Sequence, residues 1–356
     1  MSQLFSPLSL REVNFSNRAW VSSMCQYSAK DGVIGDWHLV HLGAFATGGA
    51  GLIMAEASAV TPEGRISIHC PGLWSEEQTE AWSRVTRFAH SQGTKIGIQL
   101  AHAGRKGSTM APWEDHVFAT PDEGGWTTVA PSPIAFEGYP VPRQLSSAQI
   151  AELVESFADS ARRASAAGFD VVEIHAAHGY LLHQFLSPLS NQRTDVYGGT
   201  FENRIRFLCE VVDAVREAIS PAMPLFVRIS ATDYAQGGWD IEESVQLSRV
   251  LKTMGVDLID VSSGGNIAGV SIPLGPGYQV AFSERIRNEV NVPTSTVGLI
   301  TEPLQAEGIL DSGQADATMM ARAMLRNPRW ALHAAEELGD IIPWPPQFER
   351  ARTLHA

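Results

Sequence analysis

From Arg18 onward, short apolar runs alternate with longer segments of helical period, and a glycine recurs ahead of the runs. Gly49-Ala-Gly precedes LIMAEASAV, Gly93-Thr-Lys precedes IGIQLAH, Gly168-Phe-Asp precedes VVEIHAA and Gly255-Val-Asp precedes LIDVSS. The punctuation reads helix, glycine, strand, because a helix often ends on a residue at positive φ that glycine adopts without a Cβ clash. Between Ser147 and Ala167 the apolar residues Ile150, Leu153, Val154, Phe157, Ala158 and Ala161 fall at spacings of three and four, which predicts one buried helical stripe. Ser146 with Gln149 predicts a capping box at its start and Gly168 its end. Asp240 with Glu243 predicts a similar start for a helix running to Gly255, and Asn327-Pro328 an N-cap and first turn for a helix through Leu338.

Candidate strands fall at 18–22, 52–58, 95–101, 171–177, 225–230, 257–262, 294–297 and 316–320. Eight strands alternating with helices, with no linker between them, predict an α/β protein with a parallel sheet. A single (β/α)₈ TIM barrel spanning 1–356 is favoured over an open doubly wound sheet. The segment LSLREVNFSNRA reads as an N-terminal hairpin plugging the barrel floor. Residues 103–145, rich in Gly, Pro and Trp, read as a long loop after the third strand, and a loop of that length is often a lid. The C-terminal IIPWPPQFERARTLHA reads as an arm packed on a surface.

Strand side chains alternate, so the apolar parity marks the helix side and the other parity the barrel interior. By that rule Ile96, Ile98 and Leu100 face the helices and leave Gln99 inside. Leu225, Val227 and Ile229 likewise leave Arg228 inside, and the fourth strand turns Glu173 and His175 inward. A buried Arg or Glu needs partners. An internal ion-pair network and a polar planar ligand at the barrel mouth both satisfy this, and the ligand also accounts for residues close to strand C-termini, where barrel enzymes work.

Composition narrows the function. The chain has 356 residues, 44% hydrophobic and 18% charged, with a formal net charge of −13. A bulk electrostatic grip on nucleic acid is therefore not expected. Three widely spaced cysteines, Cys25, Cys70 and Cys209, fit a reduced compartment better than a disulfide framework. No basic-then-apolar leader and no apolar run of the ~18 residues a membrane span needs is present. A cytoplasmic protein is expected.

His175-Ala-Ala-His178-Gly-Tyr180 carries two imidazoles and a phenol from the fourth strand into its loop. The pair could ligate a metal, as in a metal-dependent barrel hydrolase or lyase, although no further His or Cys cluster accompanies it. It could also be structural, or hydrogen-bond an anionic or carbonyl oxygen. Thr296-Val-Gly298 closes the seventh strand and Met320-Ala321-Arg322 the eighth, where barrels commonly hold phosphate. A surface arginine beside an ordinary turn glycine is the plain alternative. No GxGxxG follows a strand, and there is no P-loop or GxSxG elbow.

Taken in order, Met24-Cys25-Gln26-Tyr27, Glu56-Ala57, the GIQLAHAGRK segment from Gly97 to Lys106, HAAHGYL, and Ser187-Pro-Leu-Ser-Asn191 through Tyr197-Gly-Gly199 form a specific set. Over nearly its full length the chain resembles the Old Yellow Enzyme family, close to its bacterial NADPH dehydrogenase and xenobiotic reductase branch. The resemblance implies a non-covalent FMN flavoprotein, an ene-reductase that uses NADPH to reduce the C=C bond of α,β-unsaturated carbonyls and related activated alkenes. It implies a ping-pong cycle with hydride from flavin N5 to the β carbon and a proton from Tyr180 to the α carbon.

For the flavin, the resemblance implies Gln99 and Arg228 at the polar edge, Gly298, Ala321 and Arg322 at the phosphate, and Ser22, Ser23, Met24, Cys25 and Ala57 along the ring, with His175 in contact. His175 and His178 would bind the substrate carbonyl, Tyr27 would close the pocket, and Cys25 would tune the flavin rather than act as a nucleophile. Lys106 and Arg350 are further substrate-binding candidates. Arg350, in Gln347-Phe-Glu-Arg350, matches an arginine that reaches a neighbouring subunit's site, so a homodimer or homotetramer is expected. Two positions depart from the family pattern: Ser23 stands where a proline often precedes the Met-Cys pair, and Ala321 where many relatives have glycine. The cysteine-rich segment of the larger iron-sulfur relatives is missing.

Overall fold

The computed structural model describes residues 1–352. Eight parallel strands close a barrel in chain order: β1 Ala19–Val21, β2 Leu52–Ala59, β3 Lys95–Ala101, β4 Val171–Ala176, β5 Leu225–Ser230, β6 Leu258–Ser262, β7 Thr294–Thr296 and β8 Ala317–Met320, with β8 pairing back onto β1. All eight expected strands are present, helices lie between them, and the (β/α)₈ expectation holds over the open sheet.

The local signals act as read. Ser146 Oγ accepts the Gln149 N–H while Gln149 Oε1 accepts the Ser146 N–H, opening a helix over Ser147–Ala166. Asp240 Oδ1 takes the Glu243 N–H at 3.0 Å, opening the helix Ile241–Thr253. The following glycines, Gly168 and Gly255, sit at φ +86° and +87°, where a side chain would be strained. One start differs. The final helix is Trp330–Leu338, capped at Arg329, because Asn327 ends the short helix Arg322–Arg326. Its side chain and carbonyl instead brace the turn, taking the N–H groups of Arg329 and Trp330.

The hairpin Leu8–Leu10 with Val13–Phe15 seals the floor. Leu10 and Phe15 join Trp20, Leu52, Met54, Phe226 and Leu258 in an apolar plug inside the barrel, with Trp20 and Phe226 stacked at 5.9 Å. Each large side chain so buried contributes about 1.5–3 kcal/mol. The outward parity of β3, β4 and β5 forms the larger core beneath the helices. The interior is thus apolar at the bottom and polar toward the strand C-termini.

Residues 103–145 hold the 3₁₀ turns Gly104–Lys106 and Pro121–Glu123, a two-residue pairing of Val129–Ala130 with Arg143–Gln144, and single β-bridges from Thr109 to Ser67 and Phe118. The C-terminal arm lies at the opposite end from the mouth: Ile342 through Pro346 line a crevice with Asn17, Gly49 and Thr94, at the N-terminal ends of β1, β2 and β3. No helix among the described residues is long and apolar enough to cross a membrane.

Candidate active site

The polar layer above the plug is built by strand register. Gln99 pairs with Glu173 across β3 and β4, and Arg228 with Asp260 across β5 and β6, all four turned inward and buried. Gln99 Nε2 donates to Glu173 Oε1 at 2.7 Å, and Arg228 Nε lies 3.1 Å from Asp260 Oδ2. Ser22 Oγ accepts from Arg228 Nη1, Ser295 donates to Asp260 Oδ1, and Ser23 donates to Gln99 Oε1. Two buried carboxyls therefore lie near one guanidinium, Asp260 paired with it and Glu173 within reach of its charge. Glu173 Oε2 finds no hydrogen-bond donor among the described residues and Asp260 Oδ2 has only the ion-pair contact to Arg228 Nε, while the two carboxyls are close enough to affect each other's protonation. A proton between them resolves the conflict, since two like charges at one buried site cannot both ionise cheaply. Burial, then the Asp260 charge, push Glu173 up to about 8 against the pull of Arg228 and Gln99.

A raised carboxyl pKa has a definite sign. Between about pH 4.5 and about 8 the fold holds a proton that the unfolded chain has released, so this group's contribution makes stability fall as pH rises through that window. Glu173→Gln keeps the contact to Gln99 and offers Asp260 an N–H. Relative to wild type, the variant is expected to gain on the order of 2–4 kcal/mol between the two ends of the window. Urea unfolding at both ends measures it, and parallel pH profiles would refute the shared proton.

At the mouth, the His175 ring meets His178 and Tyr180 edge-on, each at 5.1 Å between centroids. His175 Nδ1 accepts the Ala177 N–H at 3.3 Å, which places the proton of the neutral ring on Nε2 and leaves a donor for a ligand. His178 sits at φ +57°, and its Nε2 lies 2.7 Å from Ser262 Oγ, leaving Nδ1 as the free ring nitrogen. Burial first, and then the Arg228 charge, hold both imidazoles well below their usual value, so they are neutral at pH 7. Burial pushes the Tyr180 phenol well above 10. It keeps its proton.

Lys106, expected at the substrate, is spent largely on the protein. Its Nζ donates to the carbonyls of His178 and Gly265, each at 2.8 Å, and lies 5.2 Å from the centroid of the Tyr180 ring. Burial, then Arg105, lower it to about 8. The ammonium thereby ties the turn carrying His178 to the loop after β6.

The facing wall is apolar. Ala57, Ile66, Cys70, Ala101 and Ala103 cluster, with Cys25, Tyr27 and Tyr180 packed on them. A bulge in β2 between Ala55 and Ala57 turns Glu56 aside and brings Ala57 to the interior. Met24 packs against the outer core.

Beyond the C-terminal ends of the seventh and eighth strands, Gly298, Ala321 and Arg322 share a cavity of about 230 Å³ with Arg228, Ser262 and Gln279. A Cβ on Gly298 would lie 2.9 Å from both Gln279 Nε2 and Tyr278 Cε1, so only glycine leaves this cradle open. Ala321 sits at φ −106°, so this position does not take the positive φ that would call for glycine. Arg322 and Arg326 line the cavity without a carboxylate partner among the described residues. Arg228 Nη2 has no protein partner either. Unpaired guanidiniums at one end, with amide and guanidinium donors at the polar barrel core, match the phosphate and pyrimidine ends of FMN.

Arg350 is exposed in the terminal turn Pro346–Ala351, and no described contact joins it to this mouth. Sequence reading passed over Asp260, Ser262, Gln279 and Cys70. Asp260 carries the same inward parity in LIDVS that exposed Glu173 and Arg228. Cys70 lies in a loop with no periodicity to mark it.

The sequence profile of the NADH:flavin oxidoreductase / NADH oxidase family matches residues 3–340. An NADPH dehydrogenase of Geobacillus thermodenitrificans is 48% identical over 350 residues, covering 98% of each chain. Among solved structures, morphinone reductase superposes with a TM-score of 0.80 at 30% identity, covering 97% of this chain and 92% of its own. An old yellow enzyme homologue from Zymomonas mobilis does so with 0.79 at 29% identity, covering 97% and 98%.

Proposed function

Since the chain belongs to the NADH:flavin oxidoreductase / NADH oxidase family, we propose that it is an ene-reductase, taking reducing equivalents from NADPH to the C=C bond of α,β-unsaturated carbonyls and related activated alkenes. That it is an Old Yellow Enzyme-type oxidoreductase using FMN and NADPH follows from the family and its NADPH dehydrogenase relatives. The alkene is the proposal. The observation that carries it is the His175, His178 and Tyr180 group: two neutral imidazoles and a protonated phenol converging at the mouth of the barrel.

When bound, FMN supplies the two-electron chemistry that links NADPH to the alkene. Gln99 and Arg228 would hold its pyrimidine edge, Gly298, Ala321 and Arg322 its phosphate, and Ser22, Ser23, Met24, Cys25 and Ala57 its ring. Arg228 would offer a fixed positive charge to offset the negative charge that reduction adds to the flavin.

His175 Nε2–H would donate to the substrate carbonyl. His178 would be a second donor through Nδ1 when the Ser262 hydroxyl turns its proton from Gln279 Oε1, 3.2 Å away, to His178 Nε2 at 2.7 Å. Both donors draw electron density from the alkene and stabilise enolate charge. Tyr180 would supply the proton to the α carbon, and Tyr27 would close the pocket. Lys106 holds the His178 turn in its left-handed conformation, whatever else it touches.

The reading takes residues 1–356 as one cytoplasmic catalytic domain in a homo-oligomer. Ile342 through Pro346 of the arm pack at the far end of the barrel, which is consistent with Arg350 acting at a neighbour's site rather than its own. The metal-dependent hydrolase alternative lacks support, because no third His, Cys, Asp or Glu among the described residues completes a ligand set around His175 and His178.

Initial-rate kinetics test the reading. With NADPH and cyclohexenone varied together, double-reciprocal lines are expected to be parallel, with the saturated ketone as product. NADPH oxidation without alkene reduction would defeat the ene-reductase assignment while leaving the flavin assignment intact.

A further inference from the structure

The mouth contains a second cluster of side chains that hydride and proton transfer do not require. A sulfur of Cys25, a sulfur of Cys70 and a carboxylate oxygen of Glu56 all lie within 4.8 Å of one another. They arrive from three places: the loop after β1, the loop after β2, and the β2 bulge. None of the cysteines is in a disulfide.

The carboxylate is held as a ligand would be. His38 Nε2 lies 3.2 Å from Glu56 Oε1, with both side chains at most 3% exposed. His38 Nδ1 accepts the Gly35 N–H, which puts the proton of the neutral ring on Nε2, facing Glu56. The Gln26 N–H donates to Oε2 at 2.9 Å. The Gln26 amide thus fixes the Glu56 carboxylate beside two sulfurs, with the buried His38 ring packed close to its other oxygen. Such an outer partner orients a metal-binding carboxylate.

We propose that Cys25, Cys70 and Glu56 bind one soft divalent cation, Zn²⁺ or Cd²⁺, through two thiolates and a carboxylate. Sulfur selects for such ions, and three protein ligands leave a fourth, solvent- or solute-filled position. Zn–S bonds of ~2.3 Å and Zn–O bonds of ~2.1 Å set tetrahedral ligand atoms roughly 3.5–3.8 Å apart, so the cluster closes by about 1 Å on loading. Two thiols lose their protons to solvent as two metal–sulfur bonds form, and no electron changes hands. Affinity therefore rises with pH. Tyr27 and Tyr180 pack on this same wall, so an occupied site obstructs the alkene pocket and the cation acts as an inhibitor.

The test is equilibrium dialysis of the FMN-loaded, fully reduced protein against CdCl₂, with proton release and NADPH oxidation followed on the same samples. One Cd²⁺ per chain is expected, with two protons released and turnover lost in step with occupancy. Cys70→Ser and Glu56→Gln should each weaken binding by at least about 10–100-fold, and His38→Gln by about 10-fold through its hold on Glu56. Cys209→Ser, on the outer helix Phe201–Ala218, should bind as wild type does. Circular dichroism and FMN content show that each variant is folded and loaded, and they separate failure of the flavin assignment from failure of this one. No Cd²⁺ uptake, or uptake undiminished in folded Cys70→Ser, overturns the site.

Discussion

Tyr180→Phe is expected to leave the reductive half-reaction with NADPH intact and to slow the oxidative half-reaction with an enone by about 10²–10⁴-fold, the usual worth of a positioned general acid. The substitution removes one oxygen and keeps the ring that meets His175 at 5.1 Å and lies beside Lys106 Nζ. The turn also stays, because the Tyr180 backbone is held independently, its N–H donating to the Ala177 carbonyl. Stopped-flow measurement of each half-reaction, read from flavin absorbance, separates the two effects. Because burial keeps the phenol protonated well beyond neutrality, wild-type reoxidation should show no loss from Tyr180 ionisation as pH rises toward 9. Equal reoxidation rates in the variant and wild type would take Tyr180 out of the proton-transfer role.

The barrel was readable because period and parity are backbone properties. Once Ile96, Ile98 and Leu100 face the helices, Gln99 has only the interior left, and the same rule placed Glu173 and Arg228. What parity cannot show is how inward groups divide protons and partners. That Glu173 and Asp260 lie near one guanidinium depends on strand register, which is a long-range property. The His178 turn was legible as a motif. Its Ser262 contact spans 84 residues and the Lys106 tether spans 72 and 159, and no local pattern signals them. Cys70 illustrates the same limit, since its meaning comes only from the neighbours that folding brings to it.

Removing the guanidinium should have the opposite sign to removing the Glu173 acid. Arg228→Met is expected to cost about 3–5 kcal/mol of stability near neutral pH, the usual penalty for stripping one partner from a buried charge group, and to weaken FMN binding as well. The cause is electrostatic rather than steric: Met fills similar volume, but Asp260 loses its cation and Ser22 loses a donor. If so, the cost must depend on pH. Both carboxyls rise further in the variant, so acidifying toward about pH 4.5, where the folded variant holds both protons and the unfolded chain is only beginning to regain its own, should return much of the lost stability. Adding Asp260→Asn to Arg228→Met should restore part of it at neutral pH, giving a coupling energy of about 1–3 kcal/mol in a double-mutant cycle. Urea unfolding of the four flavin-free proteins at the two pH values measures this without reference to turnover. Additive losses, independent of pH, would mean that Arg228 contributes packing alone and that the polar layer is not organised around its charge.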